Sequence, residues 1–145
     1  MSTADHAAAY ARYFDTLTPA SKPLLRQLAH PAIHFVDPFN DVRGIDKVEA
    51  SSAHLFATTR EPRFGTATPV VAGDLAFTKW RFTCRIERGR FRREITIDGV
   101  SEITIDEAGL VTRHIDYWDA AGQLYERLPL LGSLLRLVRR RLAVG

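Results

Sequence analysis

The sequence predicts an α+β fold, in which helices from the first part of the chain pack on a sheet formed by the second part. Apolar residues recur at helical spacing between residues 4 and 59, and the period changes to strand-type alternation between residues 75 and 119. This order is typical of an antiparallel sheet covered by helices. A chain of 145 residues with 46% hydrophobic content is long enough for one core and too short for two.

Three helices are expected in the first part of the chain. The first covers residues 4–17, which are rich in alanine. A short second helix covers 21–29 with Ser21 as its N-cap, and a third covers 45–59 after Gly44. The apolar face of the first helix consists of Ala7, Tyr10, Ala11, Phe14 and Leu17.

Alternation of apolar and polar residues predicts four strands, over 32–37, 75–87, 94–106 and 110–119. Successive strand side chains point to opposite faces, so every second residue faces the interior. A curved antiparallel sheet with three helices would enclose a half-open cone. The residues predicted to face that interior are Ile33, Phe35, Asp37, Ala76, Trp80, Phe82, Cys84, Ile86, Ile95, Ile97, Ser101, Ile103, Ile105, His114, Asp116 and Trp118.

Composition and charge narrow the possible functions. Cys84 is the only cysteine, so neither an internal disulfide nor a multi-cysteine zinc site is expected. There is no signal-peptide pattern and no apolar stretch long enough to span a membrane, so we expect a cytoplasmic protein. The formal net charge is +3, but the basic residues cluster in 85–94 and 136–141 without a nucleic-acid-binding motif. No nucleic-acid partner is therefore expected.

Asp37 is the residue that first suggests chemistry. It follows an apolar strand, shares a face with Ile33 and Phe35, and directly precedes Pro38. A carboxylate on an apolar face is either paired for structure or tuned for catalysis. Two interpretations stay open: Asp37 caps the following turn or pairs with Arg43, or it lies in a pocket as a catalytic group.

Three stretches resemble a known superfamily. They are ARYFD at 11–15, VDPFNDVRG at 36–44 and DEAGLVTRHIDYW at 106–118. With the order of elements, they resemble the nuclear transport factor 2-like superfamily, and within it the ketosteroid isomerases and the SnoaL-like polyketide cyclases. The resemblance implies a cone-shaped domain over 1–121 that holds a small hydrophobic ligand.

The resemblance also implies roles for single residues. In ketosteroid isomerases the aspartate of the DPF motif is the general base, and this role falls on Asp37. The tyrosine of a first-helix ARY motif donates to the substrate oxyanion, and it falls on Tyr13, 24 residues before Asp37. The tryptophan that ends the last strand lines the pocket and falls on Trp118. Ser101 stands where the isomerases have a protonated aspartate as second oxyanion donor, and a serine hydroxyl is the weaker donor.

Two further polar residues, His114 and Asp116, face the predicted cavity by strand parity. They could share a hydrogen-bonded network with Asp37, for acid–base chemistry or for binding a polar ligand group. No spacing of metal ligands singles out a metal site, and no metal or other cofactor is expected. The apolar walls of the cavity are expected to be Phe35, Trp80, Phe82 and Trp118.

Three functions remain open. The first is an isomerase or cyclase of the ketosteroid isomerase or SnoaL-like type, with Asp37 as base, acting on a small hydrophobic carbonyl or polycyclic ligand. Its donors would be Tyr13 and either Asp116 or His114. The second is a non-catalytic module that binds a small molecule or a protein, which Ser101 favours. The third is an epoxide hydrolase of the limonene type, whose Asp-Arg-Asp trio has only Asp37 and Asp116 as candidates.

Residues 122–145 are predicted to form an amphipathic helical extension. Its apolar stripe consists of Leu124, Leu128, Leu131, Leu135, Val138 and Leu142. Pro129 and Gly132 predict a break, so that the last helix begins near Ser133. The stripe would pack on the domain, on a second subunit or on anionic lipid, because an exposed stripe of this length favours aggregation. We expect a homodimer to which this segment contributes.

Overall fold

The computed structural model describes residues 1–144 and contains, within that range, one seven-stranded sheet and four α-helices. The helices are α1 (Thr3–Asp15), α2 (Ile45–Thr58), α3 (Ala120–Gln123) and α4 (Leu131–Leu142). The strands are β1 (Ala29–Val36), β2 (Asp41–Arg43), β3 (Arg60–Thr66), β4 (Val70–Ala72), β5 (Leu75–Arg88), β6 (Phe91–Ile105) and β7 (Val111–Tyr117). Two short 3-10 helices cover Lys22–Gln27 and Tyr125–Arg127. The predicted α+β class is confirmed.

The sheet has the strand order β2-β1-β7-β6-β5-β3, and β4 also pairs with β5. It is mixed, because β1 and β7 run parallel while the other neighbours are antiparallel. The prediction of a purely antiparallel sheet is therefore wrong at this pair, since alternation within a strand does not reveal the direction of a distant partner. Parallel pairing brings Val36 opposite Ile115, so β1 and β7 end at the same edge.

The three predicted helices occur at their predicted places in the chain, but not all as α-helices before the sheet. Only one α-helix, α1, precedes the first strand within residues 1–144, so the prediction of three N-terminal helices is matched in part. Residues 21–29 instead contain the 3-10 helix Lys22–Gln27, and the segment is short because β1 already begins at Ala29. The third predicted helix, α2, follows β2. Its N-cap is Gly44, whose φ of 96° is favourable for glycine and strained for other residues.

The remaining differences concern short strands. The strands β2, β3 and β4 were not expected, because β2 and β4 have three residues each and β3 contains a proline and a glycine. The first strand begins at Ala29 and ends at Val36, so Asp37 lies just beyond its end. This position places Asp37 at the edge of the sheet where β7 also ends.

The core lies between the sheet and the helices α1 and α2. Strand parity predicted correctly which residues of β5 and β6 are buried. One buried cluster surrounds Ile33 and Ile103 beneath α1, and the other surrounds Trp80, Phe82 and Ile97. The buried residues of the two strands are Ala76, Thr78, Trp80, Phe82, Cys84, Ile95, Ile97, Gly99, Ser101, Ile103 and Ile105.

The C-terminal segment packs differently from the rest of the chain. Helix α4 packs mainly against the 3-10 helix Tyr125–Arg127, and Gly132 is the one buried residue of α4. Of the predicted stripe, Leu131, Val138 and Leu142 are exposed and Leu135 is half-buried, whereas Leu124 packs against the buried cluster of the domain around Trp80. Gly145, which ends the predicted extension, lies outside the described residues. No helix within residues 1–144 is long and apolar enough to cross a membrane.

Candidate functional site

A cavity of about 370 Å³ lies between α1, α2 and the inner face of the sheet. Its size is within the usual range for small-molecule sites. Its lining is mostly apolar and aromatic, and within residues 1–144 it includes no lysine and no arginine. Two carboxylates, Asp37 and Asp116, line it. The cavity therefore suits a largely apolar ligand with few polar groups.

All nine residues that were predicted as site residues line this one cavity. Their joint placement follows from strand parity in β1, β5, β6 and β7 and from helical spacing in α1. What each could do depends on the partners of its polar atoms, which differ from residue to residue. The nine residues are Tyr13, Phe35, Asp37, Trp80, Phe82, Ser101, His114, Asp116 and Trp118.

A chain of hydrogen bonds, the cavity network, connects five side chains from α1, β5, β6 and β7. The Tyr10 hydroxyl lies 2.8 Å from His114 Nδ1, and His114 Nε2 lies 2.7 Å from Asp116 Oδ1. The Ser101 hydroxyl donates to the same Asp116 oxygen, and Trp80 Nε1–H donates to Ser101 Oγ over 2.9 Å. His114 is only 3% exposed, so the centre of the network is buried. A buried network of this kind holds its members in one geometry.

The directions of the hydrogen bonds in the cavity network depend on the His114 tautomer. Burial, and then the negative charge of Asp116, raise the pKa of Tyr10 well above its ordinary value, so the hydroxyl keeps its proton. In the tautomer in which this hydroxyl donates a hydrogen bond to His114 Nδ1, Nε2 carries the ring proton and donates to Asp116. In that tautomer every hydrogen bond of the network points toward the Asp116 carboxylate.

The two carboxylate oxygens of Asp116 differ, because one accepts hydrogen bonds from the network and the other accepts none of these. Both of its hydrogen bonds end on Oδ1. Oδ2 accepts none from residues 1–144, and no buried side-chain oxygen or nitrogen in that range lacks a partner, so Oδ2 is accessible. Its carboxylate is oriented by two donors while a second oxygen faces accessible space. This arrangement can accept a proton from a bound ligand.

The far end of the network depends on a glycine. Gly99 lies opposite Trp80 in the β5–β6 pairing, and the indole ring occupies the space where a β-carbon at Gly99 would lie. This close approach is possible only without a side chain. It positions the indole so that Nε1–H reaches Ser101.

Asp37 has a different set of partners. Its Oδ1 accepts from the backbone N–H of Phe39 at 2.7 Å and from that of Asn40 at 2.7 Å, and the Asn40 side-chain amide donates to both carboxylate oxygens. These contacts form the turn after β1, as Asp before Pro commonly does. Within residues 1–144 no salt bridge joins Asp37 to Arg43. The turn-forming interpretation thus has direct contacts in its favour.

Tyr13 and Ser101, which the resemblance assigns to an oxyanion hole, also have other partners. The Tyr13 hydroxyl donates to the Lys22 carbonyl at 3.1 Å, and burial, followed by the charge of Glu49, raises its pKa to about 12. Ser101 donates its proton to Asp116. The isomerase-type pair of oxyanion donors is therefore not available in this arrangement.

The prediction missed several cavity residues. Tyr10 was assigned only to the apolar face of α1, although it lies one helical turn before Tyr13 and so shares that face. Its partner His114 was the available signal, because a buried imidazole needs hydrogen-bond partners at both nitrogens. On α2, the serines that interrupt the apolar pattern line the cavity. The polar lining residues of α2 are Ser51, Ser52, His54 and Thr58.

No metal centre accompanies this site among residues 1–144, where no three histidine, cysteine, aspartate or glutamate side chains are grouped to hold an ion. His114 and Asp116 contact each other directly, so the ring nitrogen that faces the carboxylate is already in use.

The sequence matches the SnoaL-like domain family over residues 10–114. The chain belongs to the SnoaL-like family. This family lies within the nuclear transport factor 2-like superfamily, as the resemblance implied. The match runs from Tyr10 in α1 to His114 in β7, and therefore includes every member of the cavity network except Asp116, which lies two residues beyond it.

Solved structures share this SnoaL-like fold. A proposed SnoaL-like polyketide cyclase from Jannaschia sp. has a TM-score of 0.68 at 20% identity, with 81% of this chain and 87% of that chain covered. A nuclear transport factor 2-like protein from Burkholderia thailandensis has a TM-score of 0.68 at 16% identity, with 99% of both chains covered. A protein of ketosteroid isomerase-like fold from Catenulispora acidiphila, in complex with trimethylamine, has a TM-score of 0.67 at 15% identity over 83% of this chain and 89% of that chain. No curated protein matches the sequence.

Proposed function

We propose that this SnoaL-like protein is an enzyme that uses acid–base chemistry on a small hydrophobic carbonyl or polycyclic ligand in its cavity. The observation that carries the proposal is the Asp116 carboxylate, which has Oδ1 fixed by His114 and Ser101 and Oδ2 accessible. A general base needs defined geometry and access to the carbon acid. Asp116 has both, at the edge of a mostly apolar cavity.

The reaction begins with proton transfer. The C–H bond next to the ligand carbonyl breaks, its proton goes to Asp116 Oδ2, and the electron pair moves into the carbonyl to form an enolate. An isomerase then returns the proton to another carbon, whereas a cyclase uses the enolate carbon to form a new carbon–carbon bond. Apolar walls keep water from quenching the enolate. The candidate donors for its oxygen are cavity-lining side chains that donate to no residue within 1–144, namely the hydroxyls of Ser51 and Ser52, the His54 ring and the Trp118 indole.

Asp37 as the base stays a prediction, and the contacts favour Asp116 for that role. The donors of the turn hold Asp37 on both oxygens. Val36 of β1 pairs with Ile115 of the parallel strand β7, and Asp37 and Asp116 are the next residues of the two strands. Asp37 therefore lies beside Asp116 and is positioned to contact the ligand that Asp116 contacts. We assign Asp37 to shaping the mouth of the cavity and contacting the ligand there.

The test compares three aspartate variants on a panel of enolisable ketones and polycyclic ketones, with hydrogen–deuterium exchange next to the carbonyl as the readout. Asp116→Asn should lower the exchange rate by about 10²–10⁴-fold, the usual contribution of a general base. Asp37→Asn should lower it less, and Asp46→Asn on the exposed start of α2 serves as the matched control. A larger loss in Asp37→Asn than in Asp116→Asn would restore Asp37 as base, and a wild type inactive on the whole panel would remove the enzyme proposal.

A non-catalytic binding module is the second candidate. It is favoured by the partners of Tyr13 and Ser101, which leave no isomerase-type oxyanion hole. The Catenulispora acidiphila protein binds trimethylamine. In this chain the cavity combines two carboxylates with aromatic rings and, within residues 1–144, has no lysine or arginine, which suits a small amine as well. Calorimetry with trimethylamine and neutral ketones distinguishes the two, since tight amine binding without exchange activity favours the module.

The epoxide hydrolase candidate lacks a component. Its chemistry needs an arginine between two aspartates, and no arginine of residues 1–144 lines the cavity. Asp37 and Asp116 are therefore not part of such a trio.

Assembly and location complete the proposal. A homodimer and a cytoplasmic location stay predictions, as does the division into a domain at 1–121 and an extension at 122–145. Light scattering of the full chain and of a chain ending at residue 121 tests assembly and division together. A truncated chain that folds and binds ligand like the full chain would support the division.

A further inference from the structure

Helix α4 presents its apolar stripe to solvent. The side chains of the stripe are between 44% and 79% exposed, and they lie on one side of the helix. A stripe of this kind on a water-soluble surface normally marks an interaction site. This exposed stripe is not the one predicted from the sequence: Leu134 and Leu137 belong to it and Leu135 does not. Its members are Leu131, Leu134, Leu137, Val138 and Leu142.

The other side of α4 is joined to the preceding 3-10 helix, Tyr125–Arg127, through polar contacts. Arg139 forms a salt bridge with Glu126 at 2.8 Å, and Arg136 donates to the Glu126 carbonyl. Gly132 packs against that same carbonyl, where a β-carbon would not fit. These contacts hold α4 by its polar side, so the apolar stripe on the opposite side faces solvent.

The same segment has a larger net positive charge than the whole chain. Residues 124–145 contain five arginines and one glutamate, a net charge of +4, while the whole chain has +3. The preceding 123 residues therefore have a net charge of −1. Arg140 and Arg141 form no salt bridge within residues 1–144. Positive charge and exposed leucines occur together on one twelve-residue helix.

We infer that α4 docks the protein on an anionic lipid surface, with its leucines in the acyl boundary and its free arginines at the headgroups. A helix of 12 residues is about 18 Å long, which is too short to span a bilayer and suited to lying in its interface. Interfacial helices combine an apolar face with arginines or lysines beside it. Anionic headgroups supply the negative charge that Arg140 and Arg141 lack within the chain.

A second copy of the chain is the less suitable occupant. A two-fold contact brings the same patch of both subunits together. Here it would place the +4 segments face to face, with Glu126 already paired to Arg139 in each copy. Like charges across an interface oppose association.

The docked orientation brings the cavity close to the lipid. Leu124, a few residues before α4, lines the cavity, and the Tyr125 ring lies 6.4 Å from the ring of Phe39, another lining residue. A hydrophobic ligand could then pass between bilayer and cavity with a short path through water. This step rests on the proposed function, whereas docking itself does not.

The test is co-sedimentation of the full chain with vesicles of phosphatidylcholine, with or without phosphatidylglycerol. Wild type should bind the anionic vesicles at least about tenfold more tightly than the vesicles of phosphatidylcholine alone, and added salt should reduce this preference. The double variant Arg140→Glu/Arg141→Glu should lose at least about tenfold in partitioning. Arg88→Glu/Arg90→Glu, the same charge change at the exposed β5–β6 turn, is the matched control and should stay within about twofold.

The apolar half of the proposal has its own pair of variants. Leu134→Ser/Leu137→Ser should weaken vesicle binding, whereas Leu24→Ser/Val70→Ser, also on exposed positions, should not. Circular dichroism checks that all variants are folded, and Asp116→Asn should bind vesicles like wild type even if the proposed chemistry is wrong. Failure of wild type to bind anionic vesicles overturns the inference. An equal loss of vesicle binding in the control variants also overturns the inference. A leucine variant that turns a dimer into a monomer overturns it as well, because that result would assign the stripe to a second copy of the chain.

Discussion

Asp37 and Asp116 lie at the same edge of the sheet and line the same cavity, yet the protein holds them in different ways. The donors to Asp37 all come from the next three residues of the chain. Asp116 is held by His114 and by Ser101, which is 15 residues away on β6. A carboxylate held by its own turn needs only local sequence, whereas one held by several elements exists only in the folded protein.

This difference indicates what each carboxylate is for. A local turn with four donor contacts explains why Asp37 stands before Pro38 without invoking chemistry. The cavity network has no such local purpose, because burying polar side chains costs free energy that their hydrogen bonds only offset. Its geometric outcome is an oriented carboxylate with an accessible oxygen. Variants that damage one set of contacts and spare the other test the comparison.

His114→Ala should have the largest effect on stability. It leaves a cavity and removes the acceptor of the buried Tyr10 hydroxyl, so the free energy of unfolding should fall by about 3–4 kcal/mol. His54→Ala, an exposed histidine of α2, should change it by less than about 0.5 kcal/mol. Urea denaturation measures both. Similar effects of the two variants would mean that the cavity network is not a stabilising unit.

Gly99→Ala should disturb the cavity network at Trp80, the member farthest from Tyr10. The added methyl group would overlap the Trp80 indole, so the ring must move and lose its hydrogen bond to Ser101. Overpacking of this kind costs about 1–3 kcal/mol. Gly65→Ala on β3 is the matched control, because nothing lies within 4 Å of a β-carbon there. A quenched or shifted tryptophan emission in the first variant alone would confirm the cause, and unchanged emission would contradict it.

The sequence predicted those features that depend on local pattern. Parity alone identified the inward faces of β5 and β6, because the alternation of side chains is a property of a single strand. It also placed His114 and Asp116 on the cavity side. It could not predict that Tyr10, rather than Tyr13, contacts His114, because the two share one face of α1 and helix packing decides which hydroxyl reaches the sheet.

Pairing between distant strands was beyond local pattern as well. β1 and β7 are separated by most of the chain, and nothing in either strand specifies that they run parallel. Their pairing is what brings Asp37 beside Asp116. The role of Asp37 was also left open, since the same Asp-Pro pair suits a turn or a catalytic group. The hydrogen bonds from the Phe39 and Asn40 amides to Asp37 distinguish the two roles, and they form only in the folded chain.

Asp37→Ala tests the local side of the comparison. It removes the acceptor of the Phe39 and Asn40 amides, which are close to solvent, so we expect a loss of about 1–2 kcal/mol in the free energy of unfolding. Asp37→Asn keeps one acceptor oxygen and should lose less. Amide hydrogen exchange should accelerate at Phe39 and Asn40 and stay unchanged at β6. Faster exchange in β6 would mean that Asp37 is coupled to the cavity network after all.

The smallest effect expected is a shift in the titration of one tyrosine. The pKa of Tyr10 is raised first by burial and next by the charge of Asp116, and Asp37 is not among the causes. In Asp116→Asn the pKa of Tyr10 should therefore fall but stay above its ordinary value of 10.0. In Asp37→Asn the pKa of Tyr10 should equal that of the wild type.

Stability gives the same titration a second readout. Because folding raises the pKa of Tyr10, and that of Tyr13 to about 12, the folded state binds these protons more tightly than the unfolded state. Their stabilisation is complete below pH 10 and is lost as the pH rises through the folded pKa values, by up to about 1.4 kcal/mol per pH unit for each group. Tyr10→Phe should make this alkaline loss shallower. Ultraviolet absorbance of the tyrosinate, followed in wild type and in both aspartate variants, separates the contributions. Equal shifts of the Tyr10 pKa in Asp116→Asn and Asp37→Asn would show that the two carboxylates act on Tyr10 alike. This result would contradict the conclusion that only Asp116 is coupled to the cavity network.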